Sequence, residues 1–180
     1  MYSSEGVGAE GVKEQSVEED QWFALGVTAR HEKMISRMLH QKGYETFLPL
    51  YANRHQYAKR SREFQLPLFP GYVFCRFNAS ARLPILTTPG VLQVIGAGRV
   101  PIPIDRNEIT ALQTAVKSNA RLLPWPFWQT GRRGRITFGP LAGIEGIVID
   151  VKDPVRLVLS VSLLHRSVVL EIDADCVSLA

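Results

Sequence analysis

Histidines, cysteines and paired carboxylates are the residues whose spacing would announce catalysis or metal binding. His31, His40, His55 and His165 have neither metal-site spacing nor the partners of a nucleophile and base, and the glycines match no phosphate loop. Cys75 and Cys176 lie about a hundred positions apart in strand-like runs, which points to buried thiols and not to a disulfide framework or a metal site. The expected chemistry is therefore non-covalent: no catalytic residue, metal or cofactor is expected, and the protein is not expected to be an enzyme.

What remains is rings and cations. Residues 67–77 read PLFPGYVFCRF, a Pro70-Gly71 turn signal that runs straight into a β-type stretch. Alternation sets Val73, Cys75 and Phe77 on one face and Tyr72, Phe74 and Arg76 on the other, and neither face is plainly a solvent face. Two readings stand side by side: a strand covered on both sides, or an apolar docking patch made of Phe69, Pro70 and Tyr72. Cations gather in two places. Arg30, Lys33 and Arg37 repeat at helical spacing opposite the apolar stripe Met34, Ile35, Met38 and Leu39. Arg54, His55, Lys59, Arg60 and Arg62 crowd around Tyr57 in an expected loop, where cations suit phosphates and a ring suits a base.

The charge distribution supports that emphasis. The net charge of +4 divides into −5 over residues 1–20, +9 over residues 21–123 and zero over residues 124–180. A basic middle segment beside a neutral one suggests that the first part works near nucleic acid and the second does something else. Hydrophobic residues make up 46% of the chain, enough for a core, yet no apolar run approaches the roughly 20 residues of a membrane helix. No secretory signal is visible, and a cytoplasmic protein without membrane contact is expected.

Residues 1–20 read as a disordered acidic tail. Trp22 to Val27 has the length of a buried strand, Thr28 is the expected cap of the following helix, and Gly43 ends it. Tyr44 to Leu50 reads as a second strand, Ala81 to Leu86 as a short helix, and Val91 to Ile95 as a further strand. Asp105 and Glu108 have capping-box spacing ahead of a long helix with Ile109, Leu112, Ala115 and Val116 inward. This order predicts an α+β domain over 21–123. Residues 124–130, rich in proline and aromatic rings, read as a stiff linker. Over 131–180, short β-branched runs separated by turns predict about five strands forming a small barrel.

Within that last part, GPLAGIEGIVIDV (139–151) looks like the KOW motif, with a tight turn at Gly139-Pro140 and a close backbone approach at Gly146. Together with WFALGVTARHEK, LPLFPGYVFCRF, TPGVLQVIG and LLHRSVVLEID, in that order, the chain resembles the NusG family of transcription elongation factors. The short link and LVLSVSLLHRSVVLEID are similar to the UpxY- and RfaH-like specialised paralogues. The resemblance implies an NGN domain, an antiparallel sheet flanked by helices, followed by an SH3-like KOW barrel. It implies that Trp22, Phe69, Pro70 and Tyr72 contact the clamp helices of RNA polymerase. The basic residues Arg30, Lys33, Arg37, Arg54, Lys59, Arg60 and Arg62, read from charge and spacing, are then expected near the DNA and RNA of the elongation complex. It also assigns Leu141, Ile144, Leu164 and Arg166 to a second partner of the barrel, a small-subunit ribosomal protein or Rho, the family's phenylalanines there being aliphatic in this chain. A monomer is expected, and a stable barrel, because its valines and isoleucines favour strands. The alternative is a KOW-type RNA-binding or ribosome-associated protein, which predicts a basic barrel; the zero net charge of residues 124–180 counts against it.

Overall fold

In the computed structural model, residues 19–57, 60–118, 120–150 and 154–179 are described. The acidic tail, apart from Glu19 and Asp20, and Lys59 lie outside the described residues.

Strand β1 (Gln21–Val27) pairs antiparallel with β5 (Tyr72–Phe77) and with β6 (Val91–Val94), and β2 (Glu45–Phe47) closes the other side of β5. The four-stranded order β2-β5-β1-β6 buries both faces. Phe23, Leu25, Val27, Val73, Cys75 and Phe77 point to helix α1 (Glu32–Gln41), where Ile35 and Leu39 meet them, with Ile85 of the short helix α2 (Leu83–Leu86). On the other face Ala24 and Phe74 join Phe69 and the inward residues Ile109, Leu112 and Ala115 of α3 (Arg106–Lys117). The period-2 alternation of the two strands thus feeds two helical layers, so the fully buried strand is the correct description of Val73 to Cys75.

The segment expected as a basic loop is instead a ribbon. Strands β3 (Leu50–Tyr57) and β4 (Arg60–Pro67) pair over their whole length as a separate two-stranded sheet. A second, minimal pair is formed by β7 (Gly96–Ala97) and β8 (Val100–Pro101). The Thr28 cap is not formed. Helix α1 starts after His31 with no side-chain cap, while Thr28 donates both its N–H and its hydroxyl to the Gly90 carbonyl. Asp105 caps α3 as expected, accepting from Asn107 N–H at 2.7 Å and Glu108 N–H at 3.4 Å.

The C-terminal unit is a six-stranded antiparallel sheet, ordered β14-β10-β11-β12-β13-β9. Its strands are β9 (Leu122–Trp125), β10 (Arg132–Ile136), β11 (Glu145–Asp150), β12 (Val155–Val161), β13 (Arg166–Ile172) and β14 (Val177–Leu179). Four of them, β11 to β14, come from the β-branched runs, whereas β10 reads RRGRI and precedes the expected run Ile136 to Phe138, of which only Ile136 is in the strand. The sixth, β9, straddles the expected boundary between first domain and linker: Leu122 to Trp125 pair with Leu170 to Ser167. Pro124, which lacks a ladder donor, is tolerated because β9 is an edge strand. Gly146 is needed as inferred, since a Cβ there would lie 2.6 Å from the Val158 carbonyl oxygen. The α+β domain followed by an all-β unit therefore stands.

Candidate binding site

The FPGY turn is built by its own sequence and then clamped by its neighbours. Tyr72 N–H donates to the Phe69 carbonyl at 3.1 Å across Pro70-Gly71, and Gly71 has φ 83°, so this is a type II turn with proline and glycine in their preferred places. Both polar groups of Gly71 are used. Its carbonyl accepts from Val27 N–H at 2.9 Å, and its N–H donates to Oε1 of Glu32 at 2.8 Å. Glu32, on the first turn of α1, is only 4% exposed. The turn is fixed to the end of β1 and the start of α1 at once, and Glu32 is a site residue that sequence reasoning missed. Its signal was a carboxylate on an otherwise basic helix.

Phe69 requires a correction. It is 1% exposed and packs edge-on against Phe74, with ring centroids 5.4 Å apart, so it supports the turn from below and displays nothing. The ring stack continues through Phe47, 5.9 Å from Phe74, to Trp22, 6.5 Å from Phe47. Trp22 is half-buried and pairs with Arg76, whereas Tyr72 pairs with Gly26, at the opposite end of β1. Four residues of strand separate them, about 13 Å. The structure therefore does not bring Trp22 to the turn. The surface left at the tip is exposed Pro70 with half-buried Gly71 and Tyr72.

The two basic clusters are joined. Lys33 Nζ donates to the Gln65 carbonyl at 2.7 Å, which ties α1 to β4. Lys33 thus has a structural bond as well as a charge. Arg37 lies exposed one turn further on, while Arg30 sits before the helix at φ 67° and not on its face. Arg54 lies on β3, and Arg60 and Arg62 on β4.

In the C-terminal unit Leu141, Ile144 and Leu164 are 9%, 5% and 8% exposed, so they form core edge and little surface; Arg166 is exposed. The two parts of the chain share a core that runs from Phe74 through α3 into Val161 and Leu164. Glu108 completes the link: in place of folding back onto its own helix start, its carboxylate accepts from Ser162 N–H at 3.1 Å. Arg121 reaches Glu171 at 3.1 Å. Among the described residues no group of three or more His, Cys, Asp or Glu is placed to hold a metal ion. No helix there is long and apolar enough to cross a membrane.

A helix–sheet–helix α+β domain carrying a clamped turn and a two-stranded ribbon, followed by an all-β unit, defines a two-part protein. Residues 20–113, about half the chain, match the family model described as transcription termination factor nusG. The chain is 34% identical over 109 residues to the transcription termination/antitermination protein NusG of Campylobacter jejuni, covering 58% of this chain and 61% of that protein. It is 28% identical over 174 residues to the protein of that name from Helicobacter pylori, covering 84% of this chain and 93% of the relative. The solved structure titled "Domain interaction in Thermotoga maritima NusG" shares the fold at a TM-score of 0.56 and 17% identity, over 89% of this chain and 97% of that one. The chain belongs to the NusG family of transcription termination/antitermination proteins.

Proposed function

We propose that this protein is a transcription elongation regulator that docks on the clamp helices of RNA polymerase, favours processive elongation or antitermination, and presents its KOW unit to a second factor. The observation that carries the reading is the Pro70-Gly71-Tyr72 tip, held by Glu32 and Val27 above a stack of buried rings. A rigid tip with an exposed proline and a half-exposed tyrosine loses little conformational freedom on docking, the usual property of an interface anchor. Lys33, bonded to the Gln65 carbonyl of β4, and exposed Arg37 lie on the helix that clamps the tip; together with Arg30, Arg54, Lys59, Arg60 and Arg62 they favour the nucleic acid of the elongation complex. Trp22 braces the far end of the sheet. Exposed Arg166, with the rims of Leu141, Ile144 and Leu164, is the partner-facing part of the KOW unit, suited to a small-subunit ribosomal protein or Rho. The short link and the sequence of β12 and β13 support placement among the UpxY- and RfaH-like paralogues.

Co-sedimentation with core RNA polymerase tests the docking step. Tyr72→Ala loses most of the binding, whereas Arg60→Gln retains it at low salt and alters its salt dependence. Undiminished binding of Tyr72→Ala to polymerase overturns the assignment of the tip.

A further inference from the structure

Among the described residues the two larger sheets present four edges, and three of them are guarded. Strand β2 carries Glu45, ion-paired with Arg76 at 3.3 Å; β9 carries Pro124, which has no donor; β14 is three residues long. Charge, proline and shortness are the usual means by which a sheet edge avoids adding a strand. The fourth edge, β6, reads VLQV and has neither a charge nor a proline. Its outer backbone is open. Ile95 N–H donates to the Ala24 carbonyl at 2.9 Å, so alternation turns the N–H and carbonyl of Val94 away from β1. No described strand pairs with β6 on that side.

The surface around this edge is apolar and almost without charge. Residues 83–104 carry a single charged residue, Arg99. Leu92 on β6 is 69% exposed and Leu83 on α2 is 70% exposed, with Leu86 and Val100 exposed as well. Ile85 is buried in the core against which Val91 and Val94 pack, so α2 sits next to β6 and adds its leucines to the same side of the domain. Leucines in water beside an unpaired strand have a free-energy cost that a covering surface removes.

Charge decides what that cover is. Residues 21–82 hold ten bases and three acids, a net +7, so two copies of the first domain repel wherever those residues face each other. Across the 83–104 surface, two copies bring one arginine each among leucines and valines. A strand edge is also complementary to itself, because a two-fold axis lays it antiparallel to its own copy.

We infer that two copies of this chain associate through β6, joining their four-stranded sheets into one continuous sheet with Leu92 and α2 packed near the two-fold axis. This goes beyond the proposed function and differs from the monomer expected from the sequence. It leaves the Pro70–Tyr72 tip uncovered, because β1 lies between β6 and the strand that follows the tip.

Sedimentation equilibrium of the full chain from about 1 to 200 µM tests it. The parent shows a monomer–dimer equilibrium. Leu92→Lys, which leaves circular dichroism unchanged because the side chain is exposed, raises the dissociation constant by at least about 100-fold, since each copy loses a leucine. Leu92→Glu does the same. Mixing the two variants restores the dimer, because the axis sets position 92 near its own copy and the charges are then opposite. Phe138→Ser, which removes an exposed ring of the C-terminal unit, changes nothing. A parent that is monomeric at every concentration overturns the inference, as does a dimer that survives Leu92→Lys or one that the mixture fails to restore. A monomeric parent whose Leu92→Lys variant loses polymerase binding also overturns it and gives the face to the polymerase. Tyr72→Ala keeps the dimer whether or not it binds polymerase, so a wrong tip and a wrong dimer are read separately.

Discussion

The buried carboxylate of Glu32 accepts a hydrogen bond from the backbone N–H of Gly71 at 2.8 Å, tying the first turn of α1 to the turn that carries Tyr72. Its removal orphans a backbone donor and frees the tip. Glu32→Ala costs about 2 kcal/mol in urea unfolding, and weakens polymerase binding beyond what the stability loss explains. Glu32→Gln keeps an acceptor and retains most of both. A Glu32→Ala protein as stable as the parent would show that the bond contributes nothing.

Gly146 has no room for a side chain. An added methyl would meet the Val158 carbonyl oxygen at 2.6 Å and Leu157 Cγ at 2.9 Å, and the former belongs to a paired backbone. Gly146→Ala therefore lowers stability by about 1–3 kcal/mol. Gly43→Ala is a contrasting case: nothing lies within 4 Å, and its cost comes only from φ 90°. Paired denaturation curves of the two variants separate overpacking from backbone strain.

Leu122 starts the strand that joins the two parts, is 5% exposed and belongs to the core shared by α3 and β13. Leu122→Ala costs about 2–5 kcal/mol. Because the core is shared, the parent unfolds in a single transition seen alike by far-UV and near-UV circular dichroism. Two separate transitions in the parent would refute the coupling. The Arg121–Glu171 pair, with Arg121 73% exposed and Glu171 half-buried, adds little, and Arg121→Ala shifts stability by under about 1 kcal/mol.

Burial pushes the Cys75 thiol from 9.0 up to about 12. The folded chain holds this proton after the unfolded chain has released it. The contribution is therefore full below about pH 9 and declines as pH rises towards 12. Cys75→Ala flattens that part of the alkaline decline in denaturation midpoints measured from pH 8 upwards. In native protein at neutral pH, half-buried Cys176 reacts with a maleimide well before fully buried Cys75. Equal reactivity would contradict the burial.

Much of this was legible from local chemistry. Alternation in Tyr72 to Phe77, the Asp105 cap, the Pro70-Gly71 turn and the glycine at 146 each follow from a constraint within a few residues, and each is present. Sequence failed where the deciding partner is distant. Thr28 has the right chemistry for a cap, but the Gly90 carbonyl, 62 positions away, competes for it. Phe69 has the look of a displayed ring, but Phe74 and α3 cover it. The bases around Tyr57 suggested a loop because the strand signal of β3 and β4 is weak; each strand is stabilised by the other.

The sequence by itself determined the class of most segments, the turn that carries the tip, the charge of the first domain and the family. It did so because backbone preferences, side-chain periodicity and net charge are properties of short stretches. Only the tertiary structure decided that Glu32 and Val27 hold Gly71, that β9 joins the C-terminal sheet across the expected boundary, and that the basic stretch is a paired ribbon. Those outcomes depend on which groups meet across long separations, where a carboxylate, a carbonyl or an apolar ring takes the best partner the whole fold offers.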